Sequence, residues 1–168
     1  TTRNRRRYGG YIIHLGVALM GLGIIGIEFF QTQTQAMLKQ GESLDLSGYT
    51  ITYRDLQITD TPDGRNVAKA EISISRDNQE LKVVYPRIDY YYDSEQAVTI
   101  PGLRTTLADD LYIILVDWEP VTSEGATIKV FRNPLMNWFW IGSIVAVIGT
   151  LLALWPSTIR KSIAKEEA

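Results

Sequence analysis

Two long stretches of this sequence carry no Asp, Glu, Lys or Arg: the 20 residues Tyr8–Ile27 and the 27 residues Asn133–Ile159. A helix rises about 1.5 Å per residue, so roughly 20 residues cross a hydrocarbon core of about 30 Å. Each run is therefore expected to be a transmembrane helix. The chain then divides into a basic cytoplasmic flank (1–7), a first span (8–30), an extracytoplasmic β domain (31–132), a second span (133–156) and a cytoplasmic tail (157–168). The near-zero mean hydropathy averages two environments and describes neither.

Charge sets the expected orientation. Arg3, Arg5, Arg6 and Arg7 precede the first run; Arg160, Lys161 and Lys165 follow the second. Basic residues beside a span stay on the cytoplasmic side. Two spans return the chain to its starting side, so both termini are expected inside and the middle outside, in a cell (inner) membrane. Of the 17 Lys+Arg and 19 Asp+Glu, 10 and 16 fall in 31–132, an acidic segment. Aromatic residues suited to the interface stand at Tyr8, Tyr11, Trp138, Trp140 and Trp155. A signal peptide is the rival reading of Tyr8–Ile27, but Glu28-Phe29-Phe30-Gln31 does not resemble a small-residue cleavage site. Residue 1 is Thr and the first Met is Met20, so a trimmed or processed piece of a longer chain is expected.

Composition removes several chemistries. There is no Cys, which excludes disulfides, zinc-finger sites, a Cys nucleophile and Fe–S ligation. One His excludes a metal site built on two histidines of this chain. A net charge of −2 argues against a nucleic-acid partner.

Between the runs the signals are β. Tyr49–Tyr53, Leu56–Thr59, Val67–Ser75, Leu81–Tyr85, Arg87–Tyr92, Ala97–Ile100, Asp110–Trp118 and Thr127–Phe131 are rich in β-branched and aromatic residues, and turn signals separate them. In Asp60-Thr61-Pro62-Asp63-Gly64, Pro presets φ and Gly accepts a positive one. Leu111–Val116 reads as a strand buried on both faces. Gln31–Gln35 reads as a polar exit from the first span. The expected core includes Ile72, Ile74, Val83, Ile113, Leu115 and Ile128. The expected fold class is an α+β membrane protein, two transmembrane helices flanking a small extracytoplasmic antiparallel β-sandwich or barrel.

His14 is the residue that points to chemistry, because an ionisable side chain at membrane depth is a functional-site hypothesis by default. Gly10, Ala18 and Gly21 share its helical face at i−4, i+4 and i+7. Small residues beside an imidazole leave room for a flat macrocycle ligated by that His. They equally allow close helix packing, with the His bonded to a neighbour. Gly9, Gly16, Gly23 and Gly26 form a second small-residue stripe, expected to pack closely against another span; two small-residue faces also imply docking onto further helices outside this chain. The acidic pairs Asp109-Asp110 and Asp60…Asp63 read as solvated loops. Asp89-Tyr90-Tyr91-Tyr92-Asp93 reads as a strand with one buried face, or a partner-docking edge.

Three stretches resemble one family. Asn4-Arg5-Arg6-Arg7-Tyr8-Gly9-Gly10-Tyr11-Ile12-Ile13-His14-Leu15-Gly16 resembles the opening of a late transmembrane helix of CcmF, the haem-lyase family of cytochrome c maturation. Leu107–Leu115 resembles its periplasmic strand. Asn133–Gly142, with Gly149–Leu154 and Trp155-Pro156, resembles its last span. The resemblance implies a C-terminal part only, since the second histidine, the tryptophan-rich motif and the periplasmic haem-ligand histidines of the family are absent. It implies that His14 is an axial ligand to a transmembrane b-type haem, the opposite His lying outside this chain. It further implies as partners the remaining CcmF helices, the haem chaperone CcmE, CcmH/CcmI-type subunits and apocytochrome c, with haem attached outside the membrane by a lyase incomplete in this chain. Two other readings stand beside it: a membrane-anchored β-domain scaffold or sensor without cofactor, and a transporter accessory subunit with His14 as a proton or packing group.

Overall fold

The computed structural model describes residues 5–117 and 125–154. The tail 157–168, Trp155-Pro156, Trp118 and Arg3 lie outside them. The chain divides into two compact units, residues 1–22 with 138–168, and residues 23–137.

The first unit is built on two helices, α1 (Arg5–Phe30) and α2 (Met136–Leu154). Both are long and apolar enough to cross a membrane. They touch through glycine. A Cβ at Gly16 would stand 2.6 Å from the Ala146 nitrogen, and one at Gly9 2.8 Å from Ala153 Cβ. From the other side, a Cβ at Gly149 would stand 2.8 Å from the Ile13 nitrogen, and one at Gly142 2.5 Å from the Gly16 carbonyl oxygen. Any side chain there would push the backbones apart, which is how small residues hold helices together in lipid. The stripe expected to pack against another span thus meets the second helix of the same chain, through Gly9 and Gly16. Two polar side chains in the middle of α2 are satisfied within it: Ser143 Oγ donates to the Phe139 carbonyl at 2.9 Å and Thr150 Oγ1 to the Ala146 carbonyl at 2.8 Å.

The second unit is a two-layer antiparallel β-sandwich. Its strands are β1 (Thr32–Leu38), β2 (Ser43–Leu46), β3 (Tyr49–Thr61), β4 (Arg65–Arg76), β5 (Gln79–Val84), β6 (Arg87–Tyr91), β7 (Gln96–Ile100), β8 (Gly102–Thr105), β9 (Asp109–Asp117) and β10 (Ala126–Pro134). One sheet runs β1-β10-β9-β8, the other β2-β3-β4-β6-β7, with β5 paired to β4. Inward residues of both sheets form one core that includes Ile51, Ala70, Ile72, Ile74, Leu111, Ile113, Leu115, Ile128 and Val130.

Several expectations are refined. Tyr49–Tyr53 and Leu56–Thr59 are one strand, interrupted by a bulge between Tyr53 and Asp55. The bulge flips the alternation by one residue, so the sequence reads as two pieces. Gln31–Gln35 is largely strand: β1 pairs along β10 from Thr32↔Arg132 to Leu38↔Ala126. On β5 the core residue is Val84, while Val83 is half-buried on the outer face. Leu111–Val116 alternates instead of being buried on both sides: Leu111, Ile113 and Leu115 face the core, while Tyr112 and Val116 are exposed. The Asp60–Gly64 turn closes the β3–β4 hairpin with Gly64 at φ 78°, as its Gly requires.

Candidate functional site

The helical unit places His14 on a face of α1 that α2 does not cover. Its side chain is exposed, and its Nδ1 lies 2.7 Å from the Gly10 carbonyl oxygen. A carbonyl can only accept, so Nδ1 carries the proton and donates. In the neutral ring Nε2 is then the nitrogen with a lone pair. Ala18 on the same face is exposed, and a Cβ at Gly10 or Gly21 would meet nothing within 4 Å. Gly9 and Gly16, on the side turned to α2, have no such room. Four residues singled out by spacing, His14, Gly10, Ala18 and Gly21, thus form an open, flat-sided face with one imidazole standing on it. At the start of α1, Arg7 Nε donates to the Tyr11 hydroxyl at 2.8 Å, and Tyr8 packs edge-on against Tyr11 at 6.5 Å.

The β unit holds two charged clusters that a reading by composition passes over. Asp109 is buried, not a solvated loop residue. Arg132 Nε donates to its Oδ2 at 2.7 Å, and the Tyr49 hydroxyl donates to Oδ1 at 3.1 Å. Burial raises this carboxyl. The hydrogen bonds from Arg132, Tyr49 and Thr106, with the Arg132 charge, outweigh burial and hold it below the usual carboxylate range. Arg76 and Arg104 stand against the Tyr49 ring at 5.2 and 5.3 Å. The neighbouring Asp110 is half-buried and its carboxyl is pushed up by burial; it accepts from Asn137 Nδ2 at 3.0 Å.

The second cluster sits on the outer face of the six-stranded sheet. Asp89 is 1% exposed, although its strand neighbour Ile88 is the one facing the core. Arg65 Nη1 reaches its Oδ2 at 3.0 Å, and Arg87 Nε lies 3.2 Å from Oδ1. The expected docking edge over 89–93 is therefore not an edge: β6 lies between β4 and β7, and Asp89 serves as an internal anchor for two arginines. Sequence reasoning missed both clusters because each joins residues on different strands. The signal that was available for the second cluster is an acid at an outward strand position, Asp89, two residues after a basic one, Arg87.

Comparison with known proteins decides the family. Residues 29–134 match the family model described as the CcmF C-terminal beta-sandwich. The chain belongs to that family. It is 26% identical over 167 residues to the cytochrome c-type biogenesis protein CcmF of Escherichia coli (strain K12), covering 99% of this chain and 25% of that protein. It is 27% identical over 152 residues to CcmF of Pseudomonas fluorescens, covering 90% and 23%. A solved structure of cytochrome c heme lyase CcmF superposes with a TM-score of 0.78 at 24% identity, over 93% of this chain and 26% of that one, and shares the fold. The chain spans about a quarter of the length of the curated relatives it matches.

Proposed function

We propose that this chain is the C-terminal portion of a cytochrome c biogenesis haem-lyase subunit, and that His14 is an axial ligand to a b-type haem within the membrane. The observation that carries the proposal is the contact of His14 Nδ1 with the Gly10 carbonyl oxygen on an open face. A metal-binding histidine typically donates its second ring N–H to a carbonyl, which fixes the tautomer and orients the ring. The Gly10 carbonyl does this for Nδ1, and Nε2 is left free on the open face with space at Gly10 and Gly21 beside it. The residues present fit one half of a bis-histidine site. The opposite histidine comes from a helix outside this chain, whose sequence holds a single His. A haem held there supplies one-electron chemistry. His14 orients it, and Gly10, Ala18 and Gly21 give the macrocycle room.

In this reading the two helices cross the inner membrane, both termini lie in the cytoplasm and the β-sandwich lies outside. The sandwich supports haem attachment to apocytochrome c beside the remaining CcmF helices, CcmE and CcmH/CcmI-type subunits. The relatives' names support a place in cytochrome c biogenesis, and the charge-free, aromatic-flanked runs within α1 and α2 support two membrane-crossing helices. The test is His14→Ala in the assembled complex, comparing haem content and optical spectra. Loss of a low-spin six-coordinate haem with the β domain still folded is expected. An unchanged low-spin spectrum overturns the ligand assignment. A wild-type complex without haem absorption favours the scaffold reading instead.

A further inference from the structure

We propose that the outer face of the six-stranded sheet carries a seat for a compact oxyanion, a carboxylate or phosphate group, between Lys69 and Arg87. The two are register partners on adjacent strands β4 and β6, and both point away from the core, because Ala68, Ala70 and Ile88 point into it. Like charges directly opposite on a sheet face destabilise it. Here they line a cavity of about 250 Å³, together with Gln57, Thr59, Thr61, Arg65 and Val67. The lining holds three cations, an amide and two hydroxyls, and no carboxylate. That is unusual in a domain where acids outnumber bases.

The acids close by are already committed. Asp63 pairs with Arg65 at 2.6 Å, and Asp89 lies beneath, between Arg65 and Arg87. Arg87 Nε and Asp89 Oδ1 are both buried yet make no well-aligned hydrogen bond, so the carboxylate steers the Arg87 guanidinium without capping it. Lys69 makes no ion pair among the described residues; its Nζ stands 5.0 Å from the Tyr85 ring centre. A buried acid that orients an arginine beside an unpaired lysine, across from the Gln57 amide, is a preorganised oxyanion receptor: a guanidinium fork and an ammonium both donate to one group. This site is independent of His14 and of the haem proposal.

The experiment is calorimetric titration of the full chain in detergent with inorganic phosphate and with citrate, at constant ionic strength set by chloride. Saturable binding of one of the two is expected, and whichever binds tighter identifies the oxyanion. In the double variant Lys69→Gln, Arg87→Gln the affinity is expected to fall at least about tenfold. Gln57→Glu is a second route, because it places a carboxylate in register with Lys69 and should abolish binding while leaving every cation in place. No saturable uptake of either anion by the wild type, or equal affinity in wild type and either variant, overturns the proposal.

Discussion

His14 Nδ1 and the Gly10 carbonyl oxygen are 2.7 Å apart, one helical turn from each other on α1. This single contact decides which ring nitrogen is available. It also separates the two glycine faces of the helix by role. Gly9 and Gly16 are spaces already filled by α2; Gly10 and Gly21 are spaces beside an imidazole that none of the described residues fills.

Two substitutions should therefore do different damage. Gly16→Leu would drive a side chain into the Ala146 backbone and part α1 from α2. A Cβ at Gly10 meets nothing within 4 Å among the described residues, so in Gly10→Leu the helix pair should stay intact while haem content falls. The measurement is haem per complex beside a crosslink between cysteines placed at Leu19 and Ile141. Equal loss of the crosslink in both variants would show that the Gly10 face is a packing face within the chain.

Leu115 lies at the centre of the sandwich and is fully buried. Leu115→Ala should destabilise the chain by about 2–5 kcal/mol, the range for a large core aliphatic cut to Ala. Val116→Ala, one residue on and exposed, should fall within about 0.5 kcal/mol of wild type. Chemical unfolding of the two variants side by side reads the difference. Similar losses would mean that the outer face of β9 is covered.

How far the sequence discloses this protein depends on the range of each signal. The charge-free runs and the hairpin turns are local. The β3–β4 turn at Asp60–Gly64 and the tight Asp77-Asn78 turn, both residues at positive φ, follow from neighbouring residues alone. The His14 face follows from helical periodicity, and the tautomer adds what spacing cannot. Strand β1 escaped because Thr32, Gln33, Thr34 and Gln35 carry little apolar signal; its pairing with β10 is made by residues about 100 positions away. Asp109 read as a loop acid for the same reason. Its partners Tyr49 and Arg132 come from strands β3 and β10, and only the folded sheets bring them together.

Orientation is open to a direct test. Single cysteines at Asn78, in an exposed turn of the β domain, and at Thr2 should label oppositely on intact spheroplasts. The impermeant maleimide should reach Asn78→Cys and leave Thr2→Cys unlabelled until the membrane is opened. The reverse pattern would invert the topology argued from Arg3–Arg7 and Arg160–Lys165.

The Asp109 cluster makes the β domain sensitive to acid in a defined direction. The folded-state carboxyl titrates below its unfolded value of about 3.9. A depressed carboxylate contributes stability that is fully present above the unfolded pKa and is lost as pH falls through the folded one. Wild-type stability from this group should therefore hold at pH 7 and fall away below about pH 4. Asp109→Asn removes the charge while keeping the size, and leaves Arg132 and the Tyr49 hydroxyl without their anionic acceptor. It should destabilise the chain by about 1–3 kcal/mol at pH 7, the loss when one partner of a buried hydrogen-bonded pair is removed. As pH falls below about 4, protonation turns Asp109 itself into a neutral group, so the gap between wild type and variant should narrow. Unfolding midpoints of both proteins at pH 7, 5, 4 and 3 give the curve. Parallel lines across that range would mean that the ionised form of Asp109 gains nothing from Arg132 and Tyr49.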